Sequence, residues 1–348
     1  MESLVINLLF EWIEKNQLSS SQLQVLKDDN QNNKYPLVFK NNCNLLQKKL
    51  DILPLLYPKI NLLFNQLKLT NKTNNLHNLW HFWLPLALEL ADKKSQQSHP
   101  LTIGILGGQG TGKTTLTKIL PLIWQHLNLS SVGFSLDDLY KTYHERQKLL
   151  EIDCRLIWRG PPITHNLQLG IKILNQLQQR QYPVAMPRFD KSLYHGCGDC
   201  IYNSEIVTQG EMIIFEGWFV GVKPVTEKAF IKPPYPIVTK EDKQFALDCN
   251  ERLKEYIPLW EKLDYLIILN PEDYKYSLQW RKKAEHKMIK EGKTGMNDKE
   301  IEQFVHYFWK ALHPDIYIKP LTKNPEITDL VININYDHCI SKIYQPTS

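Results

Sequence analysis

From Leu4 to about Lys94 apolar residues recur at helical spacing. Leu4, Leu8 and Trp12 form one stripe, and Leu79, Trp80, Phe82, Trp83, Leu86 and Leu90 form a denser one. Residues three or four apart share a helix face, so this stretch predicts helices. No strand pattern interrupts it. The Asn/Gln-rich pieces DDNQNNK and TNKTNN read as connectors, and Ser95 to Pro100 reads as a linker. The tryptophans read as core, because large aromatics at helical spacing bury area.

After Pro100 the texture changes to short apolar runs: LTIGIL (101–106), SVGFSL (131–136), EMIIFEG (211–217), DYLIIL (264–269) and DLVINI (329–334). Helical patterns lie between them, at Lys113 to Leu127, Asn166 to Arg180, Phe245 to Lys262 and Glu272 to Glu291. Apolar strands alternating with helices predict an α/β fold with a doubly wound, five-stranded parallel sheet and helices on both faces. Asn297 to Glu300, ahead of Ile301, Phe304, Val305 and Phe308, reads as a capped helix start. The expected division is an all-helical N-terminal region over residues 1–95 and an α/β domain over 96–348.

Composition narrows the function classes. At 348 residues the chain is about twice the ~150-residue prior for a domain, which rules out a small scaffold. Hydrophobic residues at 43% and charged residues at 23% exclude a disordered or fibrous chain. The net charge of +5, from 42 Lys+Arg against 37 Asp+Glu, is too small and too evenly spread for a nucleic-acid partner. It suits a small anionic substrate. No apolar run reaches the ~18 residues of a membrane span, and MESLVINLLFEWIEK carries acidic residues where a signal peptide is basic. A soluble, unprocessed, cytoplasmic chain without a membrane partner is therefore expected. The six cysteines, Cys43, Cys154, Cys197, Cys200, Cys249 and Cys339, are sparse for the length and fit a reducing compartment, which leaves the sequons at Asn71 and Asn128 unused.

The first apolar run leads directly into Gly107-Gly108-Gln109-Gly110-Thr111-Gly112-Lys113-Thr114, a G-x-x-x-x-G-K-[ST] motif in the strand, loop, helix context it requires. Glycines allow close backbone approach, so successive N–H groups can converge on a phosphate at a helix N-terminus. A bound nucleoside triphosphate is expected, held by residues 107–113 with Thr114 and Thr115 at the start of the helix. Lys113 would reach the β- and γ-phosphates and the Thr114 hydroxyl would hold Mg²⁺. The next run ends in Ser135-Leu136-Asp137-Asp138-Leu139-Tyr140, which puts two carboxylates at the strand edge where open α/β sheets bind ligands. Asp137 is the expected base for an acceptor hydroxyl, with Tyr140 beside the substrate and Asp138 either a helix cap or a helper on the metal side. The third run ends in Glu216, placed as a Walker-B carboxylate would be to hold Mg²⁺.

At these residues the chain resembles the D-glycerate 3-kinase family, within the uridine kinase, pantothenate kinase and phosphoribulokinase group of P-loop enzymes. The similarity runs from about Ile103 to Tyr317. Uridine kinase-like enzymes share only the loop, the Asp and the Glu. The more specific segments are Arg159 to His165 (RGPPITH), Pro187 to Ser192 (PRFDKS), Phe215 to Gly221 (FEGWFVG) and Gly292 to Asp298 (GKTGMND), while Trp280 to Glu285 resembles the family's lid helix. The resemblance implies that ATP donates its γ-phosphoryl group to D-glycerate, giving 3-phosphoglycerate. The specific segments supply Arg159, His165, Arg188 and Lys191, cations suited to a carboxylate and to a transferring phosphoryl group. Arg159 or Arg188 is the expected carboxylate fork. His165 is read as a cation of this set or as the cap of the following helix. Arg281 stands where related kinases carry a lid arginine.

One departure is visible. The family's Gly-Arg-Gly-Asp-Arg is Gly196-Cys197-Gly198-Asp199-Cys200 here, which replaces both arginines and creates a Cys-x-x-Cys that could act as a redox pair. Other readings are a P-loop kinase for uridine, pantothenate or a sugar phosphate, and a nucleotide-dependent switch or assembly factor whose helical region binds a protein.

Overall fold

The computed structural model describes residues 2–32, 43–292 and 295–347. Helices α1 (Glu2–Lys15), α2 (Ser20–Gln31), α3 (Cys43–Gln66), α4 (Lys72–Asn78) and α5 (Leu84–Ser95) precede the first strand. Between α4 and α5 the chain makes one π-helical turn, Leu79–Trp83, whose side chains are all buried. The tryptophans there do form core, with Trp80 fully buried.

The α/β part follows as β1 (Leu101–Gly107), α6 (Lys113–His126), β2 (Ser131–Ser135), α7 (Tyr143–Ile152), α8 (Leu167–Gln178), β3 (Val184–Asp190), β4 (Asp199–Val207) and β5 (Met212–Gly217). It continues with α9 (Lys240–Arg252), α10 (Ile257–Trp260), β6 (Tyr265–Pro271), α11 (Tyr276–Lys290), α12 (Asp298–Ala311), α13 (Pro314–Leu321), β7 (Leu330–Ile334) and β8 (Ile340–Tyr344). All five expected strands pair in parallel, in the order β2-β5-β1-β6-β7. Among the described residues the sheet nevertheless has six strands, because β8 adds an antiparallel edge. A separate antiparallel pair, β3-β4, was also not expected. Both exceptions are half-exposed and carry polar residues, so neither makes an apolar run. The helical pattern over 245–262 is broken by a 3₁₀ turn, Leu253–Tyr256, with Pro258 opening α10. Proline has no N–H to continue the ladder.

Alternate residues of each strand face opposite cores, as a pleat requires. Ile103 and Ile105 of β1, Met212 and Ile214 of β5 and Ile267 of β6 join one cluster with α6 and the N-terminal helices. Ile213 and Phe215 of β5, with Leu266 and Ile268 of β6, join a second cluster with α8, α9 and α13. A smaller cluster, Ile301, Val305 and Trp309 of α12, receives Leu278 of α11 and Phe304. Asn297 caps α12 with a reciprocal box to Glu300, as its sequence predicts. Lys293 and Thr294 of the GKTGMND segment lie outside the described residues.

Candidate active site

Parallel register brings the strand ends together. Glu216 of β5 pairs with Ser135 of β2 and Ile105 of β1, and Gly107 with Leu269 of β6. The residues that follow open a cleft of about 1660 Å³ at the C-terminal edge of the sheet. That is the edge on which α/β sheets bind ligands.

The loop after β1 is built from backbone that side chains would obstruct. Gly110 and Gly112 take φ of +79° and +88°, the left-handed region that favours glycine. Gly112 is the N-cap of α6, and no side chain caps that helix. A long helix therefore points uncapped N–H groups and its positive dipole end at the cleft, the arrangement that suits phosphate. The Thr111 hydroxyl closes the turn on the Gly108 carbonyl at 2.9 Å. Lys113 Nζ donates to the carbonyls of Gly107 (2.7 Å) and Gly108 (3.1 Å) and lies 3.9 Å from Glu216 Oε2. Burial holds the Lys113 ammonium below its ordinary range, against the pull of Glu216 and Asp137. Glu216 Oε2 is buried with no hydrogen-bond donor among the described residues, and burial pushes its carboxyl up despite Lys113.

Across the cleft Asp137 Oδ2 meets Lys191 Nζ at 2.7 Å. Burial pushes the Asp137 carboxyl up, but Lys191 and the Tyr140 phenol together hold it below the usual carboxylate range. It is thus ionised at neutral pH. Asp138 points the other way. Its carboxylate accepts from Ser135 N at 2.8 Å and Phe189 N at 3.3 Å, which caps the 3₁₀ turn Leu136–Leu139 and ties it to β3.

Of the residues singled out by sequence, Gly108, Gln109, Lys113, Thr114, Asp137, Tyr140, Arg159, Lys191, Cys197, Glu216 and Arg281 line the cleft. Gly107, Gly110, Thr111, Gly112 and Thr115 belong to the loop and the first turn of α6 beside them. Two expectations need correction. Arg188 does not line the cleft: Nη2 binds Glu205 at 2.5 Å and Gly133 O at 3.3 Å, and Nη1 binds Asp138 at 3.4 Å, so its fork is already filled. His165 is neither a cation nor a cap. It is 2% exposed, it stacks on Tyr140 from behind, and burial lowers its pKa to about 3, while Asn166 caps α8. Cys197 and Cys200 are both free thiols, and burial with Asp199 pushes the Cys200 thiol up.

The basic run on α11 is divided by the fold. Arg281 reaches Glu285 and lies over the Phe304 ring, 5.4 Å from its centroid, with Nε buried and unpaired among the described residues. Lys282 pairs with Glu302 of α12 at 2.6 Å, and Lys283 sits over Tyr336. Trp280, named from sequence only as the first residue of the lid-like segment, packs against the loop: a Cβ added at Gly110 would lie 2.8 Å from its ring. Arg146 was missed as well. It is 8% exposed and lines the cleft, and nothing in the amphipathic pattern of α7 marks it.

A loop shaped for a triphosphate, opening on a cleft with room for a second molecule, is what a P-loop kinase of small molecules requires, and relatives of this chain are kinases. It is 30% identical over 296 residues to the chloroplastic D-glycerate 3-kinase of Arabidopsis thaliana, a match covering 78% of this chain and 62% of that protein. It is also 30% identical over 258 residues to the uncharacterized kinase mug58 of Schizosaccharomyces pombe, covering 71% of this chain and 92% of that one. Among solved structures, D-glycerate 3-kinase from Cryptococcus neoformans var. grubii matches with a TM-score of 0.66 at 27% identity, over 74% of this chain and 96% of that chain. No family model matches the chain. The chain belongs to the D-glycerate 3-kinase family of P-loop kinases. No helix among the described residues is long and apolar enough to cross a membrane.

Proposed function

We propose that the protein transfers the γ-phosphoryl group of ATP to the 3-hydroxyl of D-glycerate. The observation that carries this reading is an ionised carboxylate, Asp137, sharing one cleft with the glycine loop and the cations Lys191 and Arg159. Residues 107–113 would wrap the β- and γ-phosphates, with Lys113 leaving the loop carbonyls to meet them. Thr114 and the unpaired oxygen of Glu216 fit Mg²⁺, which takes one or two protein oxygens and otherwise phosphates and water, and which would neutralise developing charge. Asp137 orients the acceptor alcohol and takes its proton as the O–P bond forms. Held low by Lys191, Asp137 is a weak base, which suits a transfer whose proton moves late. Arg159 binds the acceptor carboxylate, Tyr140 keeps Asp137 in place, and Arg281 from α11 covers the phosphates and excludes water.

The test is incubation with ATP, Mg²⁺ and D-glycerate, followed by identification of the phosphorylated isomer, with uridine and pantothenate in parallel. Formation of 3-phosphoglycerate is expected. Asp137→Asn should lower turnover by about 10²-fold or more without unfolding the chain. Phosphorylation of uridine or pantothenate in place of D-glycerate would overturn the acceptor, and near-normal turnover in Asp137→Asn would overturn the base.

A further inference from the structure

Arg146 projects from α7 beneath the segment that joins β3 to β4. Its Nη2 donates to the carbonyls of Cys197 at 2.8 Å and Gly198 at 2.5 Å, and its guanidinium lies over the Phe189 ring, 5.1 Å from the centroid. Arg159 arrives at the same place from another segment. Its Nη1 donates to the Cys197 carbonyl at 3.0 Å and the Gly196 carbonyl at 2.7 Å, and it too lies over Phe189, at 5.6 Å. Two guanidinium groups thus share one carbonyl and one ring.

Such a pair is costly by itself. Burial, and then the neighbouring Arg159, pull the Arg146 guanidinium below its ordinary range. Arg146 Nη1 is buried with no acceptor among the described residues, although the side chain lines the cleft. No hydrogen bond joins Nη1 to the nearby carboxylate of Asp199, whose Oδ1 accepts from the backbone amides of Tyr143 and Cys200, each at 2.8 Å. An anion bridging both forks would supply the missing acceptor and quench the repulsion.

We propose that Arg146 and Arg159 together form the carboxylate subsite of a short hydroxy-acid acceptor, whose alcohol then reaches Asp137. This rests on the reading of Asp137 as the phosphoryl-acceptor side of the cleft. Tyr140 links the two ends: its ring packs edge-on against Phe189, the ring beneath both guanidinium groups, at 5.0 Å, and it closes the 3₁₀ turn that carries Asp137. Acid and alcohol must therefore be a few bonds apart. Molecules that separate them by a long chain, as pantothenate does, do not match that span, and neutral alcohols leave Arg146 Nη1 without its acceptor.

D-lactate carries the carboxylate without the terminal alcohol, so it reports the subsite without turnover. Calorimetry should show D-lactate binding to the wild-type protein, with the dissociation constant raised about tenfold or more in Arg146→Gln. The KM for D-glycerate should rise in step, and the KM for the neutral amide D-glyceramide far less. Arg146→Lys keeps a charge against the Cys197–Gly198 carbonyls and should fall between the two, which also covers the case where the Gln variant does not fold. Equal weakening of D-glycerate and D-glyceramide would mean that Arg146 only braces the loop, and D-lactate affinity independent of Arg146 would overturn the subsite. Arg146-dependent D-lactate binding in a protein inert towards D-glycerate would sink the proposed function and leave the subsite standing.

Discussion

His165 shows how far a residue type can mislead when its surroundings are tertiary. Beside Arg159 in the sequence it reads as one more cation, yet it lies behind Tyr140 with Nδ1 on the Tyr256 hydroxyl at 2.7 Å and Nε2 buried and unpaired among the described residues. Burial, partly opposed by Asp137, carries its pKa from 6.5 to about 3, so the fold holds it neutral. Between those values the unfolded chain binds a proton that the native state refuses, and stability must fall as pH falls through that window. From pH 7 to pH 5 this one residue should cost roughly 2 kcal/mol of unfolding free energy. Denaturant titrations of wild type and His165→Gln at the two pH values give the number; parallel losses in both proteins would refute the assignment. Tyr256 and His165 are 91 positions apart, a pairing no local pattern could reveal.

Elements were legible where burial is two-sided. The parallel strands β1, β5 and β6 are continuous apolar runs because both faces are covered, and the glycine loop was legible because its chemistry is local. β8 and the β3-β4 pair have one wet face, so their sequences lack that signature, and Arg188 was misread because its partners come from β2, β4 and the turn after β2. The same holds for the contact between α11 and the loop. Trp280 is 4% exposed, donates Nε1 to the Tyr336 carbonyl at 2.9 Å, stacks on His338 at 4.4 Å and rests against Gly110. The start of α11, the turn between β7 and β8 and the glycine loop are thereby one packed unit. Trp280→Ala should cost about 3–5 kcal/mol of stability. It should also raise the KM for ATP and speed hydrogen exchange at amides 108–112, because the loop loses its backing. Unaltered exchange and KM in a destabilised protein would reduce Trp280 to core filling.

Across the whole molecule the change of texture at Pro100 divides the sequence but not the core. Leu116, Leu120, Ile123 and Trp124 of α6, the helix that begins at the phosphate loop, are buried in one cluster with Leu53, Trp80, Leu84 and Leu88 of the preceding helices, and the Trp124 indole donates to the Ala87 carbonyl at 3.0 Å. The first helices thus cover one face of the sheet, a task that the helices between its strands perform on the other. Large apolar surfaces left open in this way drive association. A chain of residues 96–348 should therefore be recovered as aggregate, or as a species with low thermal stability and dye-accessible apolar surface, and co-expression with residues 1–95 should rescue its solubility. The decisive comparison is sedimentation and thermal melting of the short chain beside the full one. A short chain that is monomeric and melts like the full protein would mean that the face of α6 bearing Trp124 closes without the N-terminal helices, and the shared core would then be incidental to the kinase.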